Sequence, residues 1–169
     1  MLISDEYREL NRLLHQQSAK YGTKGHRDSD LVLKYIRLHG VVSILDYGSG
    51  KGGLKEALRH SPLPMKVLQY EPALQIDERT PCDLVVCRYV LEHVEPECVD
   101  DVLADIRRLS RRFAILSIGC KASADTLPDG SNTHRSIYPA KWWEQKLKVL
   151  FKKATVVAHN KGCSVEAVC

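Results

Sequence analysis

The sequence has no long hydrophobic segment. None of its apolar runs approaches the roughly twenty residues that a membrane-spanning helix requires. Residues 1–14 alternate charged with apolar side chains, which is unlike a secretory signal. These two absences argue against a membrane protein and predict a cytoplasmic protein without a membrane partner.

The sequence also lacks paired metal ligands. Its six cysteines form no C-x-x-C pair and no Cys-x-x-His pair, which predicts reduced thiols and no metal site. Cys82, Cys87 and Cys163 fall in strand-like runs, where a cysteine is typical of a small buried hydrophobic position rather than of catalysis. The patterns of serine hydrolases and of P-loop proteins are missing as well.

Strong charge of one sign is absent too. The net charge is +4 for 169 residues, and its visible concentration is the run RRLSRR at residues 107–112. Positive side chains complement the dipole at a helix C-terminus, so this run favours a solvated helix end over a nucleic-acid surface. The composition, 44% hydrophobic and 27% charged with no internal repeat, is typical of one globular domain.

The most informative feature that is present is a glycine-rich turn after a buried strand. Residues 41–53 read VVSILDYGSGKGG, an apolar β-branched run followed by an acidic residue and a cluster of glycines. This order predicts a strand, a tight turn and the start of a helix near Gly53. Glycines let the backbone approach a ligand closely, and the first helical turn points free N–H groups at it. A turn without a ligand is the alternative interpretation.

Two further strand patterns end in polar residues. The run at residues 65–70 is followed directly by Glu71 and Pro72, and the run at residues 82–88 has Arg88 as its last residue. An acidic residue at the tip of the second strand is where a Rossmann-like site binds the two ribose hydroxyls. The glycine turn and Glu71 therefore indicate the same nucleotide-binding edge of a sheet.

In combination these residues resemble the class I S-adenosylmethionine-dependent methyltransferases. The segments ILDYGSGKG, YEP and CDLVVCRYVLEHVEP are similar to the family's first, second and fourth motifs, and the likeness spans residues 21–169. The chain is also similar to small bacterial and phage methyltransferase-domain proteins of unassigned substrate. That likeness rests on YGTKG at 21–25, DGSNTH at 129–134 and the tryptophan pair at 142–143.

The resemblance implies a fold, a cofactor and a set of contacts. The fold is a single-domain α/β Rossmann-like sandwich, and the cofactor is S-adenosylmethionine. Glycine-turn residues pass under the amino acid part of the cofactor, and Glu71 accepts hydrogen bonds from the ribose hydroxyls. The cofactor-binding residues that the resemblance implies are Asp46, Gly48, Ser49, Gly50, Glu71, Pro72 and Arg88.

The chain departs from the family where a third strand should lie. Only residues 73–81 separate the second strand from the strand that contains Asp83, which is too short for the usual helix, strand and helix. We expect the third strand to be absent or vestigial and the strand order to be 2-1-4-5-7-6. The missing region commonly supplies the acidic residue that contacts the adenine amine in this family, which leaves Asp77 and Asp83 as loose candidates.

Two histidines are the candidate catalytic residues. His93 follows the fourth-motif strand, and His134 lies in a long irregular segment that spans 119–139. Histidine titrates near neutrality and suits removal of a proton from a methyl acceptor. The alternatives are a surface or helix-capping histidine at position 93 and an ordinary loop histidine at 134. Glu92 is interpreted as a structural or cofactor-side contact rather than a base.

Two aromatic residues are candidates for substrate binding. Tyr21 begins the linker between two predicted N-terminal helices, and this linker either covers the cofactor or is a surface turn. Trp142 and Trp143 are adjacent and therefore face different directions. One of the pair is expected in the core, and Trp142 is the candidate for a substrate wall.

The predicted organisation has three parts within one domain. Residues 1–40 contribute two helices, residues 41–118 the cofactor-binding core, and residues 119–169 a substrate loop, a helix and a closing hairpin around Asn160-Lys161-Gly162.

The sequence thus predicts methyl transfer from S-adenosylmethionine to a small molecule, or to a sugar or nucleotide, since the short chain leaves no room for a separate substrate domain. One alternative is a non-catalytic, cofactor-binding partner of a second subunit. Another is a nucleic-acid methyltransferase, although RYVL stands where exocyclic-amine methyltransferases carry Asn-Pro-Pro-Tyr.

Overall fold

Strands and helices alternate along almost the whole chain, as a computed structural model shows for residues 1–159 and 162–169. The strands are β1 (Ser43–Tyr47), β2 (Lys66–Glu71), β3 (Ile76–Asp77), β4 (Cys82–Arg88), β5 (Ser110–Gly119), β6 (Lys153–His159) and β7 (Gly162–Val168). The α-helices are α1 (Asp5–Gln17), α2 (Ser29–His39), α3 (Gly53–Leu58), α4 (Val99–Leu109) and α5 (Ala140–Leu150). Short 3₁₀ turns occupy Lys24–Asp28, Pro72–Leu74, Leu91–His93 and Pro96–Cys98.

The strands form one sheet in the order β3-β2-β1-β4-β5-β7-β6. β2, β1, β4 and β5 are parallel to one another, and β7 lies antiparallel between β5 and β6. The predicted order 2-1-4-5-7-6 is confirmed. The third strand is vestigial: β3 has two residues and pairs antiparallel with the end of β2 at the sheet edge.

The sheet is covered on both faces, which accounts for the nearly continuous apolar strands. On one face, α2 and α3 pack against Ile44 and Leu84. On the other face, α4 and α5 pack against the neighbouring residues Leu45 and Val85, because successive side chains of a strand point to opposite faces. Trp143 is fully buried in this second layer, as predicted for one member of the tryptophan pair.

The N-terminal helices begin and end where their sequence signals predict. The Ser4 hydroxyl accepts a hydrogen bond from the Tyr7 N–H and caps α1. Gly40 ends α2 in the left-handed conformation, with φ of +62°. The first helix ends at Gln17, directly before Ser18.

The interpretation of residues 107–112 as a helix end is wrong for its second half. α4 ends at Leu109, and β5 begins at Ser110, which pairs with Cys82 ahead of a register shift. Arg107 and Arg108 lie in the last turn of α4, but the two later arginines belong to the strand. The early pairing with β4 starts the strand before the apolar run begins.

The described part of the C-terminal hairpin pairs β6 with β7 antiparallel, as predicted. Asn160 and Lys161, at the predicted turn, lie outside the described residues. The cysteines are free, and Cys82, Cys87 and Cys163 are buried. Among the described helices, each is too short or too polar to cross a membrane.

Candidate functional site

A cavity of about 960 Å³ opens at the carboxyl ends of the parallel strands. It lies at the neighbouring strands β1 and β4, after which the chain continues to helices on opposite faces of the sheet. Such a point, where the strand order reverses, is the usual ligand position in an open α/β sheet. Its volume is within the range of small-molecule and cofactor sites. Its lining includes Tyr21, Asp46, Gly48, Ser49, Gly50, Glu71, Pro72, Arg88, Glu92, His93 and His134.

The glycine turn is held tightly beneath this cavity. The N–H groups of Gly48 and Ser49 both donate to the Tyr70 carbonyl at the end of β2. Gly50 has φ of +52°, and a side chain at this position would lie 2.3 Å from the carbonyl oxygen of Gly22. Only glycine allows the linker at Gly22 to pack directly on the turn. The linker therefore lies over the glycine turn and lines the cavity.

Replacing Gly50 with alanine tests this close approach. We expect Gly50→Ala to distort the glycine turn, because the new methyl group would meet backbone rather than a movable side chain. Its free energy of unfolding should fall by at least about 2 kcal/mol more than that of a matched variant. The matched variant is Gly40→Ala. Gly40 has a similar φ of +62° but open space around it, so this variant measures backbone strain alone, about 1 kcal/mol. Equal losses of unfolding free energy in urea would contradict the packing argument.

Acidic side chains form the floor of the cavity. Asp46, at the end of β1, is 7% exposed, and its Oδ2 is buried without a hydrogen-bond partner among the described residues. Burial, with the negative charges of Asp28 and Glu71 nearby, raises the pKa of Asp46 to about 7. Burial also raises the pKa of Glu71 and of Asp28. A cationic ligand would relieve this concentration of negative charge.

Glu71 supports the glycine turn while facing the cavity. Its Oε2 accepts a hydrogen bond from the Gly50 N–H at 3.0 Å, and its Oε1 accepts one from the Ala73 N–H at 3.3 Å. A carboxylate oxygen accepts more than one hydrogen bond, so both oxygens retain capacity for ligand hydroxyls.

Arg88, at the end of β4, links the two sides of the cavity. Its guanidinium forms an ion pair with Asp28 at 2.8 Å, and its Nε donates to the Ser117 hydroxyl at 3.0 Å. Asp28 is a site residue that sequence analysis missed. Its only signal is its place beside the glycine-bearing linker, directly before α2.

One part of the cavity brings together residues that are distant in sequence. His93 and His134 lie edge to face with ring centroids 4.7 Å apart, next to Glu92. The His93 Nδ1 is 2.9 Å from the Thr133 carbonyl oxygen, and the His134 Nδ1 is 2.6 Å from that of Lys121. Burial lowers the pKa of His93 to about 4, with a smaller effect of His134, so that His93 is neutral at pH 7.

Residues in and beside the first helix contact the segments that carry His93 and His134. The Tyr7 hydroxyl donates to the same Thr133 carbonyl at 3.1 Å, and Tyr21 lies edge to face with His93 at 6.2 Å. Ser4 donates from its backbone and its hydroxyl to the Glu95 carboxylate. Residues before β1 therefore help to position His93 and the loop that carries His134.

The structure does not bring Trp142 to the cavity. Trp142 stacks on Tyr138 with ring centroids 4.0 Å apart and borders a separate surface depression with Asp100 and Lys146. It packs there because α5 lies on a face of the sheet rather than at the carboxyl edge of the strands. Trp142 therefore does not form a wall of this cavity.

Neither acidic candidate for adenine recognition lines the cavity. Asp77 forms an ion pair with Arg79, and Asp83 caps the start of the sheet by accepting hydrogen bonds from the Val42 and Ser43 N–H groups. Asp83 stands at the amino end of β4, and the site lies at the opposite end.

Tyr89 is a second residue that sequence analysis missed. It directly follows β4, lines the cavity and is 47% exposed. Its φ is +59°, a conformation that a bulky residue rarely adopts outside functional sites. The left-handed turn directs the chain from β4 into the segment that carries Glu92 and His93.

No protein-family model and no curated protein matches the sequence. Solved structures do share the fold. An O-methyltransferase family protein from Burkholderia thailandensis has a TM-score of 0.58 and 12% identity, over 88% of this chain and 58% of that one. The 1,6-didemethyltoxoflavin-N1-methyltransferase of the same organism, with S-adenosylhomocysteine bound, has a TM-score of 0.60 and 16% identity, over 96% and 88%. PigF with SAH has a TM-score of 0.63 and 16% identity, over 98% and 62%.

These likenesses show that the chain has the class I methyltransferase fold, as the motifs predict. The chain spans little more than half the length of the first of these proteins.

Proposed function

We propose that this chain transfers the methyl group of S-adenosylmethionine to a small acceptor of the sugar or nucleotide class. The observation that carries the proposal is the acidic cavity floor, in which Asp46 and Glu71 flank the glycine turn at the switch point of the sheet. Two proteins of the same fold are described with the product of this cofactor, S-adenosylhomocysteine, or SAH.

The cofactor side of the cavity suits the charges of S-adenosylmethionine. Its sulfonium and its ammonium group are cationic, and Asp46, whose Oδ2 has no hydrogen-bond partner among the described residues, supplies a complementary carboxylate. Glu71, at the tip of β2, accepts hydrogen bonds from the ribose hydroxyls, and Gly48, Ser49 and Gly50 pass under the amino acid part. Each of these residues lines the same cavity.

Methyl transfer from a sulfonium requires mainly alignment. The acceptor atom forms a bond to the methyl carbon as the carbon–sulfur bond breaks, the electron pair returns to sulfur, and the acceptor loses its proton. The enzyme supplies orientation and a place for the acceptor. His93, His134 and Glu92, which line the same cavity, form that place, and we call them the acceptor side.

The mouth of the cavity favours an acceptor that carries negative charge. Its exposed basic residues are Lys20, Lys24, Arg27 and Lys121. Exposed cations at the mouth of a site attract and orient anionic ligands. This rim supports a phosphorylated sugar or a nucleotide as the acceptor.

The direct test is transfer of a tritiated methyl group from S-adenosylmethionine to pools of sugars, sugar phosphates and nucleotides, with RNA and DNA as separate pools. The expected result is that the wild-type protein labels a sugar or nucleotide pool. Glu71→Ala should label it at least about tenfold more slowly at S-adenosylmethionine concentrations below the wild-type dissociation constant. Labelling of nucleic acid alone, with a rate that falls steeply with salt, would support the nucleic-acid alternative instead. Cofactor binding with no labelled pool would identify a non-catalytic partner.

The raised pKa of Asp46 predicts pH-dependent cofactor binding. Below pH 7 Asp46 is largely protonated and neutral, so the affinity for the sulfonium should rise by up to about tenfold per pH unit as pH approaches 7 and then level off. Asp46→Asn should bind more weakly and lose this slope. SAH, which lacks the sulfonium charge, should show a shallower slope with the wild-type protein. Calorimetry from about pH 5.5 to 7.5 measures all three, and an unchanged slope in Asp46→Asn would remove the assignment.

A further inference from the structure

We propose that Glu92, His93 and His134 bind one divalent transition-metal ion on the acceptor side of the cavity. This inference rests on the proposed function for its role in methyl transfer, but not for the site itself. It differs from the sequence-based expectation of no metal site, because the ligands come from two segments that meet only in the fold.

The three side chains already converge. Each offers one ligand atom, and these atoms lie within 4.8 Å of one another. Ligand atoms bound at about 2.1 Å from one metal ion are roughly 3–3.5 Å apart. Small side-chain rotations therefore suffice to close the triad around an ion.

Both imidazoles are oriented as metal ligands. A carbonyl oxygen only accepts hydrogen bonds, so the Nδ1 of His93 donates to Thr133 and the Nδ1 of His134 donates to Lys121. With the hydrogen on Nδ1 used in this way, Nε2 is the nitrogen of each imidazole that is left to bind a metal ion. An N–H donated to a backbone carbonyl is the usual support of a metal-bound histidine, since it fixes both tautomer and ring orientation.

The burial of Glu92 is independent support for a bound cation. Its side chain is 1% exposed, and its Oε1 accepts a hydrogen bond from the Gly119 N–H at 2.9 Å. Among the described residues, its Oε2 is buried without a hydrogen-bond partner, and the neighbouring Arg88 pairs with Asp28 instead. A buried carboxylate oxygen without a donor is destabilising unless a proton or a cation neutralises it, and a metal ion does so while the carboxylate serves as its ligand.

The backbone fixes the two segments against each other. The N–H groups of Arg135 and Ser136 donate to the Glu92 carbonyl at 2.7 and 3.0 Å, which ties the loop of His134 to the turn of His93. Gly119 leaves room for the cluster, because a Cβ there would lie 2.8 Å from Glu92 Oε1. The site is thus preorganised at the end of β5.

The ligand set selects the class of metal. Two imidazoles and one carboxylate suit Zn²⁺, Fe²⁺, Co²⁺ or Mn²⁺, whereas Mg²⁺ and Ca²⁺ prefer oxygen ligands. Three protein ligands leave at least one coordination position open toward the cavity. An acceptor oxygen fits this position.

A metal ion at this site would favour an acceptor that is methylated on a hydroxyl group. A metal-bound hydroxyl has a lowered pKa and releases its proton to solvent water. Its oxygen lone pair then forms the bond to the methyl carbon while the carbon–sulfur bond breaks and sulfur keeps the electron pair. The two histidines act as ligands in this scheme rather than as the proton acceptors that the sequence suggests.

Titration with Co²⁺ tests the site directly. Calorimetry and visible absorption of the full chain, in the presence of a reductant, should show one site. Its affinity should fall by at least about 100-fold in His134→Ala and in Glu92→Gln. The matched control His60→Ala, at an exposed position outside the cluster, should bind Co²⁺ as the wild type does. Absence of binding, or equal binding by all four proteins, would overturn the proposal.

Separate titrations distinguish failure of this inference from failure of the proposed function. Far-UV circular dichroism and a cooperative unfolding transition in urea establish that each variant is folded. Co²⁺ binding at the cluster without S-adenosylmethionine binding would support the metal site and contradict the methyltransferase proposal. Methyl transfer that persists unchanged when the metal is chelated would contradict the role of the metal in binding the acceptor.

Discussion

Glu71→Ala should weaken the binding of S-adenosylmethionine by at least tenfold, which corresponds to a loss of about 1.4 kcal/mol. The substitution removes the carboxylate that would accept hydrogen bonds from the ribose hydroxyls. It also leaves the Gly50 N–H, now bonded at 3.0 Å, without its partner. Calorimetric titration of the purified variant measures the effect.

An analogue of the cofactor that lacks the 2′-hydroxyl separates these two contributions. The wild-type protein should bind the analogue more weakly than S-adenosylmethionine. Glu71→Ala should bind the two equally, because it lacks the carboxylate that would accept a hydrogen bond from the 2′-hydroxyl. Glu97→Ala, at an exposed position away from the cavity, is the control and should bind as the wild type does. Unchanged affinity in Glu71→Ala would remove the ribose assignment.

His134→Ala should reduce methyl transfer by at least about 100-fold while S-adenosylmethionine binds within about twofold of the wild-type affinity. His134 lies on the acceptor side of the cavity, and its ring contacts His93 rather than the glycine turn. The comparison of turnover with cofactor affinity, measured on the acceptor that the labelling screen identifies, separates the two sides of the site.

The exposed residue His60 again provides the matched control, since His60→Ala removes an imidazole at a distance from the cavity. Normal turnover in His134→Ala would return His134 to the interpretation as an ordinary loop histidine. A parallel loss of cofactor affinity would instead place it on the cofactor side.

Most of the architecture follows from local patterns in the sequence. Apolar runs mark the parallel strands, with Gly48 directly after β1 and Gly119 at the end of β5. Ser4 and Gly40 mark helix ends through their capping chemistry. The short segment between β2 and β4 predicts the vestigial β3 by length alone. Each of these signals depends on neighbouring residues in the chain, so a single sequence is enough to recognise it.

The cofactor side of the site is predictable for the same reason. Asp46, Glu71 and Arg88 each stand at the end of a strand, and the ends of parallel strands meet at one edge of the sheet. Their common location follows from the strand order, without knowledge of any side-chain contact.

The acceptor side is less predictable because it depends on contacts between distant segments. Glu92 meets His134 only after the loop binds back through Arg135 and Ser136. Asp28 enters the site through its ion pair with Arg88. Trp142 shows the opposite error, since its aromatic character suggested a binding wall but α5 carries it to another surface.

Calorimetric titration with S-adenosylmethionine and, separately, with NAD tests the central claim most directly. The acidic floor, at Asp46 above all, complements a cationic sulfonium and opposes the anionic pyrophosphate of a dinucleotide. We expect S-adenosylmethionine to bind at one site, more weakly in Glu71→Ala, and NAD not to bind. Binding of NAD alone, or of neither compound, would contradict the methyltransferase account and leave only the fold.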